Sequence, residues 1–414
     1  MSNLKYIVNK EIIESKKICI IGCGISGIYT ALRLIQRYPN YRIDLYDKND
    51  YIGGRCMTIK WHNRYINLGA GIFTPSHTHL LELLKELEIP INSFETTFHM
   101  GTKNNNGLYT DDELFDIKLF NEQKKYVLNS LQTKYQKLNL PNLELQNMSV
   151  KQFIQKYFDN KIWKWIYHYS FFHDYLDMNL YEMLPQLLKG ELFYNQEPYP
   201  AHSIKLGGWQ VLIDKITLIL QQNNNIQFYL NSLVKEILYD IDKKTFTIDI
   251  EHTKIEYDKV YVCGDFDVRK IDYKEIDVSF LNVIQSVPLL RIYGYSDKEL
   301  FSKNSYFVPN DRKVIGINSH IQMICYKDSE KVIEHLHQYK SLISEQEKKL
   351  YDDTITKYWE HGVHIRLPFT QYDPLVKDTK GNNIEMYFLG EMMSDVLGFV
   401  EGAIRSVNYH FEIY

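Results

Sequence analysis

ICIIGCGISG (Ile18–Gly27), followed by RIDLYD (Arg42–Asp47) and YIGGR (Tyr51–Arg55), decides the fold of this 414-residue chain. Ile18–Gly22 reads as a buried strand that enters a glycine turn and then a helix. Arg42–Asp47 is a second strand closed by a carboxylate, and YIGGR is a second glycine turn carrying an arginine. Gly22, Gly24 and Gly27 fit the GxGxxG pattern, in which the three glycines serve a tight turn, the close approach of a pyrophosphate, and packing of helix on strand. Helix amides starting near Ile25 and Ser26 point at such phosphates with the positive end of the helix dipole behind them. Asp47 stands where an acidic side chain accepts a ribose hydroxyl. An ordinary strand-to-helix turn is the competing reading of the same glycines.

Outward from this unit, Leu80, Leu83, Leu84 and Leu87 recur at helical spacing and predict a helix from about Thr78 to Leu87. Before it, Gly69, Ala70 and Gly71 are small enough to let the backbone lie against a flat ligand. Residues 1–17 form a polar lead-in. Beyond residue 92 the pattern changes to mixed-charge helical segments, 112–136 and 150–190, after an Asn-rich turn at Asn104–Gly107. Trp163, Trp165, Tyr167, Tyr169, Phe171, Phe172 and Tyr175 crowd the second segment and read mainly as a helical core stripe, with a pocket wall as the alternative. His168 and His173 have no partners at metal-ligand spacing and are read as structural.

GGWQVLIDKITLIL (Gly207–Leu220) restarts the first pattern, and residues 225–264 alternate like successive strands with a turn at Asp242–Lys244. The last of these, ending VYVCG (Val260–Gly264), reads as a buried parallel strand returning to the first sheet. Residues 276–375 leave that sheet again, with the strand PLLRIYGY (Pro288–Tyr295), a charged helix around 326–350 and the stretch EHGVHIRLP (Glu360–Pro368). The C-terminus gives a strand ending at Gly390 and a helix from about Gly398. The predicted class is α/β: a discontinuous Rossmann-like nucleotide-binding domain (1–91, 206–275, 376–414) with an inserted α+β substrate domain, helical over 92–205 and sheet-based over 276–375.

Composition narrows the function. A net charge of −4 implies neither a nucleic-acid groove nor a patch for an acidic membrane surface, and no apolar run approaches the roughly 18 residues that cross a bilayer. The N-terminal segment lacks the apolar core of a signal peptide. Five cysteines (Cys19, Cys23, Cys56, Cys263, Cys325) without CxxC spacing suit a reducing compartment and predict neither metal site nor disulfide framework. A cytoplasmic protein is expected. The 33 tyrosines carry no functional reading.

Taken in order, IIGCGISG with Asp47, YIGGR, INLGAGIFTPSHTHLLELLKELEI (Ile66–Ile89) and FLGEMMSDVLGFVEGA (Phe388–Ala403) resemble the flavin-dependent amine oxidases, the group of monoamine, polyamine and L-amino-acid oxidases. GGWQVLIDKI and VYVCG are weaker matching blocks. The resemblance implies FAD held by Gly22, Gly24, Ile25, Ser26, Gly27 and Asp47, which replaces the family's usual glutamate. Gly54 and Arg55 would lie along the pyrophosphate and flavin side, and Leu68, Gly69, Ala70 and Gly71 would face the isoalloxazine. It further implies backbone contact of Val234 with adenine, ribityl or pyrophosphate hydrogen bonds to Glu391 after Gly390, and the flavin pyrimidine edge on Phe399, Val400 and Ala403.

For catalysis the resemblance puts Phe399 and His364 at the two ring positions that cage a neutral amine before flavin N5, with Trp359 as a neighbouring wall; a structural histidine is the other reading of His364. Val363 stands where some monoamine oxidases carry the cysteine that binds flavin covalently, and the chain stops soon after the flavin helix, so dissociable FAD and a soluble protein are expected. Arg291 occupies the place of the family's lysine, which is linked to reoxidation by O2. Arginine neither loses its proton nor presents a compact ammonium to one water. The leading expectation is oxidation of a small amine, with O2 as acceptor and hydrogen peroxide released. The alternatives are a desaturase, protoporphyrinogen-oxidase-like or UDP-galactopyranose-mutase-like enzyme, and a flavin-holding protein without turnover.

Overall fold

The four apolar residues of the strand Lys17–Ile21 are all buried. A strand with no polar face must be covered on both sides, as in the middle of a parallel sheet. The computed structural model describes residues 15–171, 173–251, 253–264, 268–271, 274–309, 312–326, 332, 349–369 and 375–413, and it places this strand at the centre of a five-stranded sheet. The spatial order is Met386–Phe388, Lys259–Val262, Lys17–Ile21, Arg42–Tyr46, Ile226–Tyr229, and every pairing is parallel. Counted along the chain these are the fifth, fourth, first, second and third strands, the doubly wound order that reverses direction beside the first strand. The glycine turn leaves the sheet at that reversal. A separate antiparallel meander, Val234–Asp240, Thr245–Ile250 and Thr253–Tyr257, turns where the sequence predicts, with Lys244 in the left-handed region at φ 58°.

The chain divides into two compact units. One contains the described residues up to Ile52 with Ile216–Val278 and Leu375–Leu389; the other contains Gly53–Lys215, Ser279–Pro374 and the chain from Gly390 onward. This division differs from the predicted boundaries, since 53–91, 206–215 and 390–414 group with the second unit. The physical reason is that a ligand motif marks what a segment binds, whereas its packing is decided by hydrogen bonds and apolar contacts elsewhere.

In the second unit, seven strands run in the order Asp353–Arg366, Ile284–Tyr295, Ile321–Tyr326, Arg312–Gly316, Ser305–Val308, Phe98–Lys103, Tyr109–Asp111. Only Ser305–Val308 against Phe98–Lys103 is parallel. Val287, Val363 and Ile365 share an apolar core with the helices Val150–Tyr157, Asn160–Tyr169 and Leu180–Lys189. The segment predicted as helical over 150–190 is broken because side chains cap new starts. Ser149 Oγ accepts from Gln152 N (3.1 Å), Asp159 Oδ1 from Ile162 N (2.9 Å) and Asn179 Oδ1 from Glu182 N (3.1 Å). The predicted helices 112–136 and 78–87 are found as Ile117–Leu138 and Thr78–Glu86.

The aromatic stripe packs as core. Trp163, Tyr167 and Tyr175 lie on the helical cluster, and Trp165, Tyr169 and Phe171 on a second one with Phe98, Phe120 and Phe307. His173 stacks on Tyr167 at 4.0 Å. Phe172, most of the polar lead-in and most of the predicted charged helix 326–350 lie outside the described residues. No helix among the described residues is long and apolar enough to cross a membrane.

Candidate functional site

In the first unit, the helix Ile25–Arg37 begins at Gly24 with no side-chain cap on its first amides. Those groups need an acceptor, and an anion at a helix start supplies one. The glycines around them differ in what they make room for. A Cβ on Gly27 would sit 1.9 Å from the Gly22 carbonyl oxygen, so this glycine seats helix on turn. A Cβ on Gly24 would meet nothing within 4 Å, so the space beside it is open.

Asp47 folds back onto the turn. Its Oδ2 accepts from Cys23 N (2.7 Å), and its Oδ1 accepts from Asn49 N and Nδ2 (2.8 Å each). A carboxylate has about four acceptor sites, which leaves room for a ribose hydroxyl. Burial, with Asp47 adding to it, pushes the Cys23 thiol well above its ordinary value, as suits a small packing residue rather than a redox thiol. Ile25, Ser26 and Val234 are buried, so Val234 could meet a ligand only through its backbone.

In the second unit, the even positions of the strand Asp353–Arg366 near its end face away from the helical core that takes Val363 and Ile365. There, Arg55, His364 and Glu391 converge. Glu391 Oε2 accepts from Arg55 Nη1 (3.1 Å) and from His364 Nδ1 (2.8 Å); Oε1 accepts from His364 N (3.1 Å) and Gly398 N (2.7 Å). Arg55 Nη1 also donates to Gly362 O (3.0 Å). Burial by itself would raise the Glu391 carboxyl, but Arg55, His364 and the Gly398 amide outweigh it and hold the group well below the usual carboxylate range.

Two expectations are corrected here. Glu391 does not offer free oxygens to a ligand, because protein donors fill its acceptor sites. The His364 ring is not an open cage face, because the residue is 4% exposed and its Nδ1 edge is bound to Glu391, which leaves only the Nε2 edge unbonded among the described residues. Phe399, by contrast, is 42% exposed, with its ring edge-on to the buried His77 at 4.8 Å. Gly390 N donates to Ser406 Oγ (2.8 Å), and Val400 and Ala403 are buried in the helix Val400–Ile413.

The segment Asn67–Gly71 is fastened from several sides. Ala70 N donates to Arg55 O (2.8 Å), which follows the turn containing Gly54. Asn67 O accepts from Arg291 Nη1 (2.8 Å) and Tyr293 Oη (2.7 Å), Leu68 O from Trp359 Nε1 (2.7 Å), and Gly71 O from Trp209 Nε1 (2.9 Å). Trp359 is thereby a fastener of Leu68, with Lys357 over its ring at 4.4 Å, rather than a bare wall. Gly69 is small for a protein reason, since a Cβ there would lie 2.0 Å from Arg55 O. A Cβ on Gly71 would lie 3.4 Å from Arg291 Nη2, and Arg291 Nε is buried without a partner among the described residues. Sequence reasoning missed Tyr293, Trp209 and His77; the available signal was that buried Tyr and Trp polar ends need acceptors.

Residues 25–293 match the model of the flavin containing amine oxidoreductases. A 1-hydroxycarotenoid 3,4-desaturase from Flavobacterium sp. (strain P99-3) is 33% identical over 129 residues, which span 28% of this chain and 26% of that relative. Among solved structures, cyclohexylamine oxidase from Brevibacterium oxydans IH-35A is similar with TM-score 0.64 at 16% identity, covering 95% of this chain and 97% of that one. A CLA-producing fatty acid isomerase from P. acnes has TM-score 0.63 at 12% identity over 96% and 99% of the two chains.

Proposed function

The chain belongs to the flavin-containing amine oxidoreductase family, as a flavoprotein oxidoreductase with FAD as its cofactor, and we propose that it oxidises a small-molecule amine. Bound without a covalent link, FAD would supply the hydride acceptor for the amine α-carbon and the route of the electrons to O2, so that the products would be an imine, which hydrolyses, and hydrogen peroxide. In the first unit, the Gly22–Gly27 turn and the helix amides after it serve the pyrophosphate, Asp47 the ribose and Val234 the adenine. In the second, Arg55 and the Leu68–Gly71 backbone serve the flavin side. Glu391 acts one step back by fixing Arg55, and Phe399 orients the substrate.

The observation that carries this reading is the exposed Phe399 ring on a loop whose Gly398 amide is tied to the same carboxylate that fixes Arg55. An anaerobic screen of amines, amino acids and polyamines tests it: one class should bleach the flavin absorbance, and no bleaching by any of them would defeat it. Val363 offers no thiol, so acid or heat should release FAD into solution. Flavin that stays with the precipitated protein would contradict this.

The desaturase relative and the isomerase fold neighbour favour a second reading, in which the same scaffold desaturates or isomerises a substrate without nitrogen. Peroxide formed with amines separates the two. A flavin-holding protein without turnover would leave bound FAD unreduced by every candidate. A cytoplasmic location accords with the free cysteines, and cell fractionation tests it.

A further inference from the structure

Alkyl amines reach an enzyme mainly as ammonium ions near neutral pH, since such groups titrate at about 10. A hydride leaves the α-carbon only when the nitrogen lone pair is free, so a proton must first go somewhere. The sequence offers no acid–base pair for this, but the fold assembles one. His364 and Glu391 meet through two hydrogen bonds, Nδ1 to Oε2 at 2.8 Å and backbone N to Oε1 at 3.1 Å. A carboxylate can only accept, so with Glu391 ionised the Nδ1 atom carries the hydrogen and Nε2 is left with its lone pair. This is the way a buried acid fixes the tautomer of a catalytic imidazole.

Nε2 has no hydrogen-bond partner among the described residues, and it is not fully sealed from solvent. Among the described residues, the charged groups paired with the ring are Glu391 and, through it, Arg55. Ser286, opposite on the neighbouring strand, carries no charge, and Arg366, two residues along, is paired with Glu182. The Gly398 amide hangs on the same carboxylate as the ring, which ties His364 to the loop that carries the exposed Phe399.

We infer that His364, oriented by Glu391, is the proton acceptor of the site, taking one proton from the substrate ammonium onto Nε2. This rests on the amine reading above. In that step the substrate N–H bond breaks and the Nε2–H bond forms; the neutral amine then gives its hydride to the bound flavin, and His364 returns the proton to solvent after the imine leaves. No oxidant beyond the cofactor is needed. Arg55 keeps the pair from collapsing into a neutral acid and neutral imidazole, because the guanidinium stabilises the carboxylate charge.

The test uses the FAD-loaded protein. Nitrogen-15 NMR of the histidines should show the His364 tautomer with its hydrogen on Nδ1 and Nε2 bare, a readout independent of turnover. His364→Asn keeps an amide donor for Glu391 but has no basic nitrogen. Its anaerobic flavin reduction by the best amine should fall at least about tenfold at pH 7 and recover towards the natural rate as pH approaches 10, where bulk water deprotonates the amine. FAD content should be unchanged. An Nε2-protonated tautomer, an unchanged rate, or an equal loss at every pH overturns the base role while natural-protein bleaching keeps the amine reading standing. If no amine bleaches the natural protein at any pH, the amine reading itself fails and the base role falls with it.

Discussion

Replacing Gly24 by Val separates a ligand-binding turn from a merely structural one. The backbone at Gly24 is ordinary, with φ −68° and ψ 178°, and an added Cβ meets nothing within 4 Å. The folded protein without flavin should therefore lose little, about 1 kcal/mol at most for a branched residue at a helix N-cap. At roughly 2–4 °C per kcal/mol, its melting temperature should barely move. The same side chain enters the open space that the proposed reading gives to the pyrophosphate, so FAD affinity should fall by on the order of 100-fold, which is ~2.7 kcal/mol. Gly27→Ala is the counterpart. Its Cβ would stand 1.9 Å from Gly22 O, so helix and turn must separate, at a cost of roughly 1–3 kcal/mol to the fold itself. Thermal melts of both variants, with and without excess FAD, give the assay: a saturating ligand adds about 2.7 kcal/mol at 100 times its dissociation constant. Gly24→Val should melt like the natural apo-protein and gain nothing from FAD, whereas Gly27→Ala should melt low before any FAD is added. A Gly24→Val protein with full flavin content and the full FAD-induced shift would refute the assignment of that space.

Three further outcomes are expected. Phe399→Ala should keep its FAD but lose up to about 100-fold in flavin reduction by the best amine, because a misplaced α-carbon is costly; equal rates would remove Phe399 from the substrate wall. In stopped-flow experiments Arg291→Lys should speed reoxidation by air by on the order of tenfold, or ~1.4 kcal/mol, and change reduction less, since a lysine ammonium can orient one water and removes the partnerless buried Nε. A natural protein that reoxidises as fast as the variant would sink that argument. Burial and the neighbouring His202 hold the His77 imidazole down to about 4, below its unfolded value of about 6.5. The unfolded chain then binds the extra proton first, so the His77 contribution is present above about pH 6.5 and is lost as pH falls towards 4. Urea unfolding of His77→Gln at pH 7 and pH 5 should show a smaller acid loss than the natural protein, and an identical loss would exclude His77 as its source.

The part of this protein legible in its residues alone is the part written in short-range chemistry. A run of four apolar residues needs a parallel sheet around it, glycines at Gly22, Gly24 and Gly27 admit a tight turn between strand and helix, and leucines at helical spacing predict the helix found at Thr78–Glu86. Each signal lies within a few residues, so no partner had to be known. Tertiary structure alone decided which groups act together. Arg55 and Glu391 are 336 positions apart and His364 and Glu391 are 27 apart, yet one buried carboxylate joins all three. No periodicity records such a meeting, because it depends on which face of the strand Asp353–Arg366 turns away from the helical core. The same cause hid the fastening of Asn67–Gly71 by Arg291, Tyr293, Trp359 and Trp209. Buried carbonyls must find donors, and only the folded chain selects which side chains supply them.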